Sequence, residues 1–219
     1  VGSEMCIRDS TPSLILPIID MQLNFEFFLQ IVGLLLGLLY LWWEYRADKR
    51  MWIVSVVMPM VSMVLYFRKG LYADFAINIY YLAIAAYGYA VWTFGSSRKK
   101  NKEKKPLPIR HVTWRVVAGC AGVLALLWGV LYLWLRYLTD STVPVPDAFT
   151  TAASIVGMWL LARKYVEQWI CWILVDIVCV GLYAYKQIPF YAVLYGIYTV
   201  IAFFGYAKWR RMARTSSTD

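Results

Sequence analysis

Trp169, Trp172 and Asp176 stand at i, i+3 and i+7 in the run EQWICWILVDIV, so a helix there projects all three from one face. Indole faces stack on flat heterocycles and attract organic cations. The carboxylate, with the neighbouring Gln168, can hold amide or hydroxyl groups. A second stripe sets Asp74 and Asn78 at i and i+4, with Tyr81 at i+7, and a third repeats the geometry with Tyr191, Tyr195 and Tyr198. This chemistry suits binding a flat, cationic or nucleoside-like molecule.

Nothing in the chain suggests bond-breaking chemistry. His111, the one histidine, sits at the edge of a basic stretch, where a solvated role is expected. No HExxH, GxSxG or P-loop pattern occurs, so an enzyme is not expected. Cys6, Cys120, Cys171 and Cys179 form no CxxC pair and have no histidine at ligand spacing, and they read as small apolar fillers. Neither a metal nor another cofactor is expected.

The elements that carry these residues follow from composition. The 219 residues are 61% hydrophobic and 17% aromatic but only 16% charged, against about 25% charged in an average soluble domain. A soluble monomer of this size cannot bury that much apolar surface. A soluble enzyme, a disordered tail and a disulfide-stapled secreted module are therefore excluded, and the lipid bilayer becomes the expected partner. A membrane-spanning helix needs roughly 20 mostly apolar residues. Seven segments qualify, near Phe25 to Trp43, Met51 to Phe67, Leu71 to Phe94, Val112 to Tyr137, Ala148 to Leu161, Trp169 to Tyr185 and Pro189 to Trp209.

Charge sets the orientation. With the C-terminus inside, the inner loops hold 17 of the 22 basic residues, from Arg46, Lys49 and Arg50 through the block Arg98 to Arg115 to Arg163, Lys164, Lys208, Arg210, Arg211 and Arg214. The outer side keeps Arg8, Arg68, Lys69, Arg136 and Lys186, and its longest loop carries Asp140 and Asp147. The positive-inside rule gives N-terminus out and C-terminus in. The net charge of +9 thus belongs to membrane loops, and nucleic acid is not an expected partner.

The spans repeat. Leu65 to Trp92 lies without a gap on Leu182 to Trp209 at an offset of 117, pairing Tyr66 with Tyr183, Tyr81 with Tyr198, Gly88 with Gly205 and Trp92 with Trp209. The register continues back through Trp52 and Trp169, Arg46 and Arg163, and Trp42 and Trp159. Spans one to three therefore correspond to five to seven, and the fourth restores their common orientation. The expected fold is an all-α membrane protein of seven helices in a 3+1+3 parallel repeat, as in the SWEET transporters, with a path between the halves. A duplicated receptor or scaffold without a path is the competing reading. Polar groups at membrane depth are default site candidates, which singles out Trp172, Asp176, Asn78 and Tyr198. Trp42, Trp43, Trp92 and Trp209 read instead as an interfacial belt.

The expected organisation is a non-native or disordered segment at 1–20, a first triple-helix bundle at 21–94, a basic cytoplasmic linker at 95–111, a linker helix at 112–137, a second bundle at 138–209 and a cytoplasmic tail at 210–219. The opening VGSEMCIRDS resembles translated adapter read-through, which would place the natural start at Met21.

The last two spans, with NIYYLAIAAYGYAVW in the third, resemble the bacterial Pnu-type vitamin transporters, whose best-known members carry nicotinamide riboside. The similarity covers roughly Phe25 to Arg211, and its most specific parts are the Trp169 and Trp172 pair and the two GYAxW ends. It implies a SWEET-like fold, facilitated passage of a small-molecule vitamin precursor across the inner membrane, and trapping by a cytoplasmic kinase. It places Trp169 and Trp172 against the ligand ring, with Asp176 a turn deeper. Asn78 stands where nicotinamide riboside members carry Gln, and related members of similar fold carry thiamine. A homo-oligomer is compatible with all of this.

Overall fold

The computed structural model describes residues 35–68, 72–95 and 107–215. They are all-helical apart from turns and one isolated bridge between Arg110 and Tyr165. The helical segments are α1 (residues 35–45), α2 (Met51–Arg68), α3 (Tyr72–Phe94), α4 (Trp114–Leu138), α5 (Pro144–Ala162), α6 (Gln168–Tyr185) and α7 (Pro189–Thr215). Among the described residues, α4 to α7 are each long and apolar enough to cross a bilayer.

Two elements outrun the hydropathy reading. The helix expected at Ala148 begins at Pro144, because proline's fixed φ suits a first helical position and Asp147 in the first turn complements the dipole. At the other end, α7 continues to Thr215, with Arg214 in its last turn. The expected linker at 95–111 is described only at its two ends.

The helices pack α2 on α3, α6 on α7, α5 on both α4 and α6, and α3 on α5. The central member is α5, which buries Ala148, Ala152, Ala153, Val156 and Gly157 on its way to a fully covered end at Leu161 and Ala162. By contrast α4 buries no residue and packs chiefly on α5. Its long apolar run, with Leu126, Val130 and Leu133 exposed, is what a lipid-facing helix requires.

The offset of 117 reappears in the backbone. Ala47 and Lys164 both take positive φ, at 53° and 55°. Ala47 N–H donates to Glu44 O at 2.9 Å, as Lys164 N–H does to Leu161 O at 2.9 Å. One turn on, Met51 N–H reaches Asp48 O and Gln168 N–H reaches Tyr165 O, both at 3.3 Å. The packing matches as well. Trp52 lies against Gly88 and Trp169 against Gly205, so close that a Cβ on either glycine would clash with the indole. Trp52 meets Trp92 edge-on at 86°, and Trp169 meets Trp209 at 84°.

The two sets join through their equivalent residues. Trp92 and Trp209 lie 6.2 Å apart. Each indole N–H crosses to the other set, Trp92 Nε1 to Ala162 O at 3.2 Å and Trp209 Nε1 to Glu44 O at 3.1 Å. Trp92 and Trp209 are 4% and 0% exposed, so they form the core and not the interfacial belt expected for them. The reason is physical: an indole with a bare glycine opposite its partner ring and a carbonyl for its N–H is better held inside than at a headgroup. Trp42, at 55% exposure, fits the belt.

Candidate functional site

Between α1, α2, α3, α5, α6 and α7 lies a cavity of about 570 Å³. It runs beside α6 from Trp169 to Tyr183, a rise of about 21 Å for 14 helical residues. That is most of a hydrocarbon core about 30 Å thick.

The wall from α6 is the stripe read in the sequence. Trp169, Trp172 and Asp176 all line the cavity, and at 7% exposure Asp176 is buried. Trp172 is positioned by Gly157, whose missing side chain lets α5 approach; a Cβ there would lie 3.2 Å from Cys171 and 3.7 Å from the Trp172 ring. The α7 wall supplies Tyr195 and Tyr198. Tyr195 stacks on Tyr183 with centroids 5.3 Å apart and planes 9° apart, Tyr191 stacks on the same Tyr183 at 5.2 Å, and Tyr198 turns edge-on to Tyr195. From α3, Tyr81 lines the cavity, while its neighbour Tyr80 ties α3 to α5 by donating to Ile155 O at 2.8 Å.

Two expected residues stand elsewhere, and a third is not described. Asn78 lies in α3 outside the lining, and Gln168 is completely buried behind it, beside Glu44. Asp74 falls in α3, with its side chain outside the described residues.

Several lining residues escaped the sequence reading. Tyr40 and Glu44 come from α1, Ser55 from α2, and Thr150, Thr151 and Ser154 from α5. Thr150 and Thr151 turn their hydroxyls back to Asp147 O, at 3.1 and 2.9 Å, as buried threonines in apolar helices do. Asp147 closes this end of the site, accepting from Ser141 at 3.0 Å and facing Lys186 Nζ at 3.9 Å. Among the described lining residues there are three carboxylates and no lysine, arginine or histidine.

The opposite end is sealed by the tryptophan core. Above it Lys164, 8% exposed, lays its ammonium 4.4 Å from the Trp92 ring centroid. Burial lowers the pKa of this loop lysine to about 8. Nearby, Arg163 donates to Tyr87 Oη at 2.9 Å, and the His111 ring pairs with Glu167 at 2.7 Å. Glu167 also accepts from Val112 N–H at 3.0 Å, so His111 helps clamp the approach to α4 onto the start of α6 instead of standing free.

An elongated apolar and aromatic chamber with polar groups along it, enclosed by helices of a bilayer-crossing protein, has the composition typical of small-molecule pockets. Residues 27–211 match the family model for nicotinamide mononucleotide transporters, and the chain belongs to that family of membrane transporters. Among its relatives is the riboflavin/roseoflavin transporter RibM of Streptomyces davaonensis, 28% identical over 85% of this chain and 86% of that one. The nicotinamide riboside transporter PnuC of Escherichia coli is 27% identical over 69% and 72%. A crystal structure of the vitamin B3 transporter PnuC has a similar fold, with a TM-score of 0.60 and 21% identity over 82% of this chain and 79% of that one.

Proposed function

We propose that the chain carries a nucleoside-like vitamin precursor, nicotinamide riboside first, into the cell by facilitated diffusion. The observation that carries this reading is the cavity's composition: indole and phenol rings from Trp169, Trp172, Tyr195 and Tyr198, the carboxylates of Asp176 and Glu44, and no basic residue among the described lining. Such a chamber favours a flat ring that is neutral or cationic and bears hydroxyl or amide groups. The relatives named for nicotinamide riboside and riboflavin support a ring-bearing vitamin. Riboflavin is the second reading, because the RibM match covers more of both chains. Thiamine, another vitamin with a cationic ring, is the third.

The architecture we infer is the 3+1+3 parallel repeat, α1 to α3 against α5 to α7 with α4 as the joining helix, in the inner membrane with the C-terminus in the cytoplasm. The matched turns at Ala47 and Lys164 and the Trp92–Trp209 contact support it. Two bundles rocking about the cavity give alternating access. Without a coupling ion, net uptake requires that a cytoplasmic kinase convert the solute to a form the cavity does not accept.

Liposomes carrying the purified chain are to be tested for uptake of labelled nicotinamide riboside, riboflavin and thiamine. Nicotinamide riboside is expected to enter fastest. Entry of none above the rate of empty liposomes refutes transport of this class, and faster riboflavin entry replaces the first reading with the second.

A further inference from the structure

Glu44 is 1% exposed, lines the cavity, and has one carboxylate oxygen, Oε1, without a hydrogen-bond partner. A buried carboxylate with no cationic partner is among the more expensive features a fold can carry. Its position is fixed, since its backbone oxygen accepts from both Trp209 Nε1 and Ala47 N–H. Beside it, Gln168, 0% exposed, and Tyr40 face the Glu44 carboxylate, and both are neutral. Around the same part of the cavity, the indole N–H groups of Trp169 and Trp172 are unpartnered too.

The repeat shows that the fold does not need these groups. At the offset of 117, the counterpart of Glu44 is Leu161 and that of Gln168 is Met51, and both are completely buried in the apolar core. At each of the two places one copy carries an apolar residue and the other a polar one. The two polar side chains therefore answer to something besides packing, and the nearest open space is the cavity.

We propose that Glu44 is a ligand-contacting residue that accepts an N–H donor carried on the heteroaromatic end of the substrate, with the indole N–H groups taking the adjacent oxygen. This rests on the reading that the cavity receives a heteroaromatic vitamin precursor. A primary carboxamide on a ring offers that pairing, one N–H toward the carboxylate and one carbonyl toward an indole. A ring carboxylate in its place offers no N–H and sets two acid groups against each other in a buried site, and is rejected. Glu44 thus selects amide over acid at this end of the ligand.

The test is direct binding to the purified full chain in detergent, by calorimetry, with nicotinamide riboside, riboflavin, thiamine and nicotinic acid riboside, in which a carboxylate replaces the carboxamide. The wild type is expected to bind nicotinamide riboside at least 100-fold more tightly than its acid analogue. Glu44→Gln, which puts a fixed N–H donor in place of the acid, should lower nicotinamide riboside affinity about tenfold and raise that of the acid analogue at least tenfold. A gain of affinity cannot come from misfolding. Glu44→Leu installs the residue of the equivalent position and should be at least as thermally stable as the wild type while losing more than tenfold in affinity. If the wild type binds one of the three vitamins and both variants match it, the Glu44 assignment falls and the vitamin reading stands. If the wild type binds none, both fall.

Discussion

Replacing Gly205 by alanine tests the packing that holds the site. A Cβ at Gly205 would lie 2.6 Å from the Trp169 ring, and Trp169, at 1% exposure, is wedged edge-on against Trp209. Neither a helix backbone nor a rigid indole yields without moving its neighbours, and overpacking of this kind costs about 1–3 kcal/mol. Alanine's better helix propensity returns at most about 1 kcal/mol. For a chain of this size, 1 kcal/mol moves the thermal midpoint by roughly 2–4 °C, so a net loss of about 1 kcal/mol lowers it by that amount. Gly196 lies on the same helix with nothing within 4 Å of an added Cβ. Gly196→Ala therefore controls for propensity and should hold or raise the midpoint. Since Trp169 lines the cavity, Gly205→Ala should also weaken ligand binding, measured by the same calorimetry. A Gly205→Ala protein as stable as the wild type, or one no worse than Gly196→Ala, refutes the close packing of this glycine and indole.

Trp172→Ala removes an indole face from the cavity and should weaken binding more than tenfold while the melting curve keeps its midpoint within about 3 °C, because Trp172 is only partly buried. Lys164 supplies a pH test. Its folded pKa of about 8 lies below the ordinary 10.5 because burial penalises the ammonium. The unfolded chain thus binds more protons between those values, and the cost, on the order of 3 kcal/mol, is fully present below pH 8 and relieved as pH rises toward 10.5. Lys164→Met should raise the midpoint at pH 7 and erase that difference by pH 10; equal midpoints for both proteins at pH 7 defeat the argument. Trp209→Phe keeps most of the ring contact but leaves Glu44 O with one donor fewer, and thermal denaturation should show a loss of about 1 kcal/mol.

Much of this organisation was legible in the sequence because the duplicated register places rigid, rare residues. Trp52 with Trp169, and Gly88 with Gly205, announce a packing unit that the coordinates then display twice. The α6 stripe was legible for the same reason that helices are: spacings of three and four fix a face. What hydropathy blurs is depth. Interfacial and buried tryptophans have the same letter, and only the repeated glycine beside each GYAxW end hinted that Trp92 and Trp209 turn inward. Glu44 follows Trp42 and Trp43 at the end of an apolar run, so it read as the first loop residue when it is in fact enclosed by Tyr40, Gln168 and the tryptophan core. Thr150, Thr151 and Ser154 carry no charge or periodic signal that sets them apart from ordinary helix residues. Asn78 illustrates the converse, since its place one turn before Tyr81 gives the right stripe without bringing it into the cavity lining.

The bare character of α4 has an evolutionary consequence. A helix that packs chiefly on one flank of α5 and buries no residue is constrained by length, greasiness and direction of crossing far more than by identity. It is a spacer, and sequence drift should accumulate there first. A heterologous single-pass segment of equal length spliced between the flanking turns should be tolerated where a swap of α5 would not.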